Sequence, residues 1–297
     1  MKVLVLGASG FIGLPAAQAL VRAGHVVYGL TRSAAKAKEL AAEEIIPIVG
    51  EVSNPSAWVQ HTTHLDVVID AVGGMEIKSL SAVLLSAVSS AAKAHRPAGA
   101  PKLTYIYTSG TWVHGDHRSE VVTDTTPLTR CAELVSWRPD HEQSVLNDPV
   151  LNGIVIRPAL LYGRSGSLFT PLFAGAAQGK VSWPGRPGGR YALIHTDDLA
   201  DLFLKASEKA QSVGGKVFDA ANDFTESVDD ILAKVVEVSG AKGPYQYTEP
   251  SNLYEVALQS TTLLRPYLAR SLLGWQPRKT GLVDGLATYY AAFQAAQ

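Results

Sequence analysis

The chain has 297 residues, 46% of them hydrophobic and 18% charged, with a formal net charge of -1. That length suits one large α/β domain or a domain with an attached lobe, and the near-neutral balance excludes the strongly basic surface that nucleic-acid binding needs. A single cysteine, Cys131, excludes an intrachain disulfide framework and cannot by itself complete a zinc site, so a reducing compartment and no metal are expected.

Short β-branched runs alternate with longer Ala/Leu-rich stretches through the first half, the pattern of βαβ units around a parallel sheet. Six strands are expected, at Lys2–Leu6, Val26–Leu30, Ile45–Val49, Val67–Asp70, Leu103–Thr108 and Ile154–Arg157, each nearly continuous in apolar character. Helices are expected at Pro15–Ala23 and Ile77–Ala94, with Pro15 in a first turn where its missing N–H does no harm. The first strand is too short for the apolar core of a signal peptide, and no later run is long enough to span a membrane. A cytoplasmic protein is therefore expected.

The first strand runs straight into Gly7-Ala-Ser9-Gly10-Phe11-Ile12-Gly13, which in turn opens the first helix. Three glycines at this spacing make a tight turn on any reading. Placed between a strand and a helix, they also let the backbone approach a pyrophosphate, whose charge the free N–H groups and the positive helix end stabilise. The expected cofactor contacts begin with Gly7, Ser9, Gly10, Phe11, Ile12 and Gly13. The second strand ends in Thr31, Arg32 and Ser33, where an NAD-selective site would place an acid for the ribose hydroxyls. Arg32 can pair with a ribose 2′-phosphate, so NADP(H) is the expected cofactor.

After Arg157 the regular alternation stops. Glycine- and proline-rich pieces, among them Trp183-Pro-Gly-Arg-Pro-Gly-Gly, bracket short apolar runs. Residues 1–163 are read as mainly the dinucleotide-binding domain, and residues 164–190 with about 225–275 as a smaller, discontinuous substrate-binding lobe. Residues 191–224 and 276–297, the latter with a closing helix near Gly281–Ala296, are read as returning to the main domain.

The GxxGxxG spacing resembles the short-chain dehydrogenase/reductase superfamily, especially its extended and atypical members. Three later segments carry the resemblance to the end of the chain: Ile156-Arg-Pro158-Ala-Leu-Leu-Tyr162-Gly163, His195-Thr-Asp197-Asp198-Leu-Ala200 and Leu273-Gly-Trp275-Gln-Pro277. The chain is similar to the NAD-dependent epimerase/dehydratase proteins of that superfamily. The resemblance implies an α/β Rossmann-type doubly wound parallel sheet, small residues at Ala71, Val72 and Gly73 against the cofactor, and Pro158 beside the nicotinamide. Gly50-Glu51-Val52 resembles the family's adenine-contact Gly-Asp-Leu, with Glu51 at the Asp position. Asp197 and Asp198 read as a helix cap or ion-pair members.

The catalytic segment departs from the family. Its members carry Tyr-x-x-x-Lys on a helix after the fifth strand; here, alignment on Glu142 puts Leu134 and Arg138 at those positions, and the other register puts Trp137 and His141 there. The family's catalytic hydroxyl position falls near Gly110, flanked by Ser109 and Thr111. The candidate proton donors are Ser109, Thr111, His114 and Tyr162, with Arg138 as electrostatic support. Each also has a plainer reading: a strand-end hydroxyl bonded to local backbone, a structural histidine, a surface ion pair. The expected function is NADPH-dependent reduction of a small carbonyl, enone or imine compound. The alternatives are a catalytically silent NADP(H)-sensing regulator and a nucleotide-sugar epimerase or dehydratase, the last supported by Arg190, which resembles a substrate-phosphate arginine. A small-molecule substrate is the expected partner, with no nucleic acid or membrane and with a homodimer allowed.

Overall fold

The computed structural model describes residues 1–74, 76–165 and 167–297. The run Val3–Leu6 has no exposed surface, because strand β1 (Lys2–Leu6) lies mid-sheet and is covered on both faces. Around it stand β2 (Val26–Thr31), β3 (Ile46–Val49), β4 (Val67–Asp70), β5 (Thr104–Thr108), β6 (Asn152–Pro158) and β7 (Val217–Ala220). All seven are parallel, in the order β7-β6-β5-β4-β1-β2-β3. The sheet is doubly wound, as the family resemblance implies. Its strand order reverses between β1, which pairs β2 on one side, and β4 on the other, so a crevice opens beyond their carboxyl ends.

One face of the sheet packs Val3, Val5, Ile69 and Ile106 against Leu20 of helix α1 (Gly13–Arg22) and Phe203 of the helix Thr196–Glu208. The other packs Leu4, Leu6, Val68 and Tyr105 against Leu84 and Val88 of α3 (Ile77–His95), where α2 is the helix Ala34–Ala42 on the β2 side. No helix among the described residues is long and apolar enough to cross a membrane.

A third core lies apart from the sheet. The strands Leu160–Tyr162, Arg190–His195 and Thr225–Ser227 form a small sheet of their own. Phe169, Phe173, Trp183 and Tyr191 gather there with Val228 and Leu232 of the helix Val228–Ser239. The closing helix, Leu282–Gln294, joins this core through Leu286, Tyr290 and Phe293. The sequence reading placed it back on the main domain; its aromatic side instead meets Phe173, edge to face with Tyr290 at 5.6 Å. Apolar periodicity shows that a helix must bury one side, but not which core receives it. Trp275 packs in the first of these cores, and its indole N–H donates to the Asp198 carbonyl at 2.9 Å. The Asp198 carboxylate accepts the backbone N–H groups of Arg278 and Lys279, both at 3.0 Å.

Candidate active site

Beyond β1 the chain turns at Gly7 with φ of +77°, and a Cβ there would stand 2.8 Å from the Ala71 carbonyl oxygen. Glycine is required both by the left-handed backbone and by that close approach. At Gly13 a Cβ would fall 2.2 Å from the Gly7 carbonyl oxygen, so the start of α1 closes directly on the turn. Between them Gly10 donates its N–H to Gly7 at 2.9 Å. A cleft of about 630 Å³ opens over this turn.

Gly7, Ser9, Gly10, Phe11 and Ile12 line that cleft on the β1 side, and Ala71, Val72 and Gly73 line it beyond β4. Arg32 stands at the end of β2, exposed and with no acid partner among the described residues. Ser9 and Thr31 share a hydroxyl contact of 3.1 Å beneath it. Glu51 and Val52 complete that end. Gly13 sits behind the cleft, while Pro158 lines a second cavity.

That second cavity, about 640 Å³, adjoins the first and shares Ile12, Gly73, Gly74 and Leu161 with it. The end of β5 brings Ser109, Gly110 and Thr111; the segment leading into α4 (Arg138–Leu146) brings Leu134, Trp137 and Arg138. Gly110 leaves space, since a Cβ there would meet only the Pro158 carbonyl oxygen at 3.9 Å. Trp112 and, from the lobe, Leu168 and Tyr254 form the remaining wall, the indole and phenol rings meeting edge to face at 5.8 Å. Lys78 comes from the first turn of α3.

Three of the five catalytic candidates meet in this cavity: Ser109, Thr111 and Arg138. The Ser109 hydroxyl donates to Glu142 Oε1 at 2.5 Å. Its hydrogen is therefore committed, and its lone pairs are what remain for a ligand. The Thr111 hydroxyl makes no side-chain hydrogen bond among the described residues. Arg138 Nη1 donates to the Tyr107 phenol at 2.7 Å and to the Thr108 carbonyl at 3.1 Å. Its guanidinium also lies 4.8 Å from the Trp137 ring centre. Burial pushes the Tyr107 hydroxyl up to about 12, so it stays a neutral phenol beside this cation.

His114 and Tyr162 line neither cavity. His114 is buried, with Nε2 2.8 Å from Asp219 Oδ2. Asp219 also faces Arg157 at 3.6 Å, and Arg157 holds Glu142 through paired contacts of 2.6 and 3.0 Å. A buried chain of polar groups thus runs from Ser109 through Glu142, Arg157 and Asp219 to His114. Tyr162 donates its hydroxyl to the Thr280 carbonyl at 3.0 Å and accepts from Asn222, and burial pushes its acidity well below that of a free phenol. Of the two registers, the one anchored on Glu142 puts both of its residues, Leu134 and Arg138, in the cavity. His141 of the other register stacks edge to face on Tyr107 at 4.6 Å, and burial pushes it down to about 4. The sequence reading used Glu142 only as an anchor and passed over Lys78, Trp112 and Tyr254. Position after β5 pointed to Trp112, but nothing local to the other two did.

The family model of the NAD dependent epimerase/dehydratase family matches residues 3–221. The chain belongs to that family. It is 25% identical over 263 residues to 4-hydroxy-2-methyl-3-oxo-4-farnesyl-3,4-dihydroquinoline-1-oxide ketoreductase of Stigmatella aurantiaca, covering 82% of this chain and 74% of that one. It is 27% identical over 255 residues to 2-alkyl-3-oxoalkanoate reductase of Stenotrophomonas maltophilia, covering 79% and 76%. Among solved structures, dTDP-glucose 4,6-dehydratase from Bacillus anthracis in complex with NAD superposes with a TM-score of 0.81 at 15% identity, over 100% of this chain and 97% of that one. This likeness is one of fold.

Proposed function

We propose that this member of the family is an NADPH-dependent reductase of a carbonyl compound, with enones and imines as related substrates. The observation that carries the reading is the junction of the two cavities, which sets the Thr111 hydroxyl and the Arg138 cation beside a cleft built for a dinucleotide. The two relatives named as reductases support it, both of them named for ketone-bearing substrates. The glycine turn fits the pyrophosphate, and Gly73, with open space where a Cβ would be, leaves room for the cofactor's passage between cavities. When bound, the dinucleotide supplies the hydride. Thr111 gives a hydrogen bond and then a proton to the carbonyl oxygen, solvent restores the Thr111 proton, and Arg138 gives electrostatic support from beside it. NADPH oxidation across a panel of ketones, enones and imines tests the reading, which fails if the protein binds the cofactor and none of them is turned over.

One observation favours a second reading. Leu134 stands in the cavity where the family's tyrosine is expected, and a protein that had lost its chemistry would sense NADP(H) by binding alone. Tight binding without turnover distinguishes this reading.

Arg32 makes NADP(H) the preferred cofactor. Its affinity is expected to exceed that for NAD(H) at least about tenfold, the scale of a charge-assisted contact to the extra phosphate. Titration of both cofactors in wild type and Arg32→Ala measures it, and a wild-type preference for NAD(H) would reject the assignment.

Gly10→Val is expected to leave the fold intact by circular dichroism and to abolish cofactor binding. Its Cβ would start 3.1 Å from the Gly7 carbonyl oxygen and fill the cleft above the turn. Unchanged affinity in a folded variant would mean that the phosphates lie elsewhere.

A further inference from the structure

The charge of the second cavity is one-sided. Its lining holds two cations, Lys78 and Arg138, and no acid among the described residues, in a wall otherwise made mostly of apolar and aromatic side chains. Neither cation has a carboxylate within 4.0 Å among the described residues. Glu142, one helical turn after Arg138, is taken by Arg157 and Ser109. Asp70, which burial pushes up to about 6, is engaged by the Tyr105 hydroxyl at 2.8 Å and the Val72 N–H at 3.1 Å.

The geometry of Arg138 narrows the ligand further. Both of its hydrogen bonds leave from Nη1 and go to neutral acceptors. Nε is buried and has no partner, and Nη2 makes no hydrogen bond among the described residues. Nε–H and Nη2–H form the side-on edge of a guanidinium, the edge that grips the two oxygens of a carboxylate. Nε is closed off from the cavity, whereas the unbonded Nη2 keeps accessible surface, so Nη2–H is the donor left for an oxygen ligand. Lys78, exposed at the rim, adds attraction for an anion at longer range.

We infer that the cavity selects an apolar carbonyl compound that carries a carboxylate, an oxo acid with a hydrocarbon chain, and that Arg138 and Lys78 set this specificity. The inference rests on the reductase reading for the reaction and on the cavity's charge for the substrate. The chain lies along Trp112, Leu134 and Leu161, the carboxylate meets Arg138 Nη2, and the ketone faces Thr111. A reduced nicotinamide, when bound, would supply the hydride to the ketone carbon and become oxidised; the C=O pair moves onto oxygen, which takes the Thr111 proton, restored from solvent, to give the hydroxy acid.

Two measurements test it. In the first, decanoate and methyl decanoate are titrated into the NADP⁺-loaded protein and followed by tryptophan fluorescence. Decanoate is expected to bind at least about tenfold more tightly, with the gap shrinking in Lys78→Ala and closing to within about twofold in Arg138→Gln. Equal affinities in wild type, tighter binding of the ester, or a gap that persists in both variants overturns the inference. Lys78→Ala changes an exposed side chain, so the test stands even if Arg138→Gln fails to fold. In the second, 3-oxodecanoate and its methyl ester are compared as substrates with NADPH. A kcat/KM about tenfold higher for the acid is expected. Faster turnover of the ester overturns the inference and leaves the reductase reading standing. Arg138-dependent selectivity for decanoate with no NADPH oxidation by either oxo compound upholds the anion selectivity and rejects the reductase reading.

Discussion

Glu142→Ala is expected to destabilise the protein by about 3–5 kcal/mol, the cost of removing one partner from a buried ion pair. Glu142 is 1% exposed and accepts hydrogen bonds from Arg157 and from the Ser109 hydroxyl. Without it the buried Arg157 guanidinium keeps only Asp219, at 3.6 Å, and cannot recover water. Two donors lose their acceptor in one substitution, so the loss belongs at the upper end of what single changes do. Glu142→Gln keeps the shape and one acceptor oxygen and should fall between the variant and wild type. Urea unfolding with an unchanged m value is the measurement. A loss under about 1 kcal/mol would mean that Arg157 finds another acceptor and that the chain of polar groups behind the cavity is not a structural unit.

Thr111→Val is expected to lower turnover roughly a hundredfold while folding and cofactor affinity stay close to wild type. The replacement keeps the branched shape in a buried position and deletes only the hydroxyl whose hydrogen is not already given to a protein acceptor. Ser109→Ala should behave differently, because its hydrogen goes to Glu142: stability falls more than the rate of the chemical step. Arg138→Lys shows whether a positive charge suffices or the planar fork is needed. Alanine at His114 and phenylalanine at Tyr162 should alter stability before chemistry, since neither side chain lines the cavity. If Thr111→Val turns over like wild type, water is the proton source.

Much of this arrangement was legible in the chain. A strand buried on both faces must be apolar at nearly every position, and that signal located β1 to β6 within two residues at each end. It also gave the glycine turn, whose requirement at Gly7 is a local backbone property. The strand His117–Val122 went unread because its sequence is HRSEVV, polar at its first four positions, and its partner Thr262–Leu264 lies far along the chain. The catalytic candidates divide the same way. Ser109 and Thr111 were found because the end of a fifth parallel strand faces the crevice whatever its neighbours do. His114, only three residues further on, turns away toward Asp219, a residue 105 positions later, and sequence distance carries no record of that pairing. Tyr162 likewise spends its hydroxyl on Thr280, and Tyr254 reaches the cavity from a short lobe helix with no motif.

The shared wall of Ile12, Gly73, Gly74 and Leu161 has an energetic consequence. A dinucleotide lying across these residues becomes part of the surface that a substrate touches, so the two binding free energies are linked. By whatever factor the cofactor raises substrate affinity, the substrate raises cofactor affinity by the same factor. Gly73 and Gly74 present no side chain at that boundary, so a bound cofactor and substrate would have room to touch there. The coupling therefore depends on the ligands' own surfaces, and it vanishes for any compound too small to reach the nicotinamide.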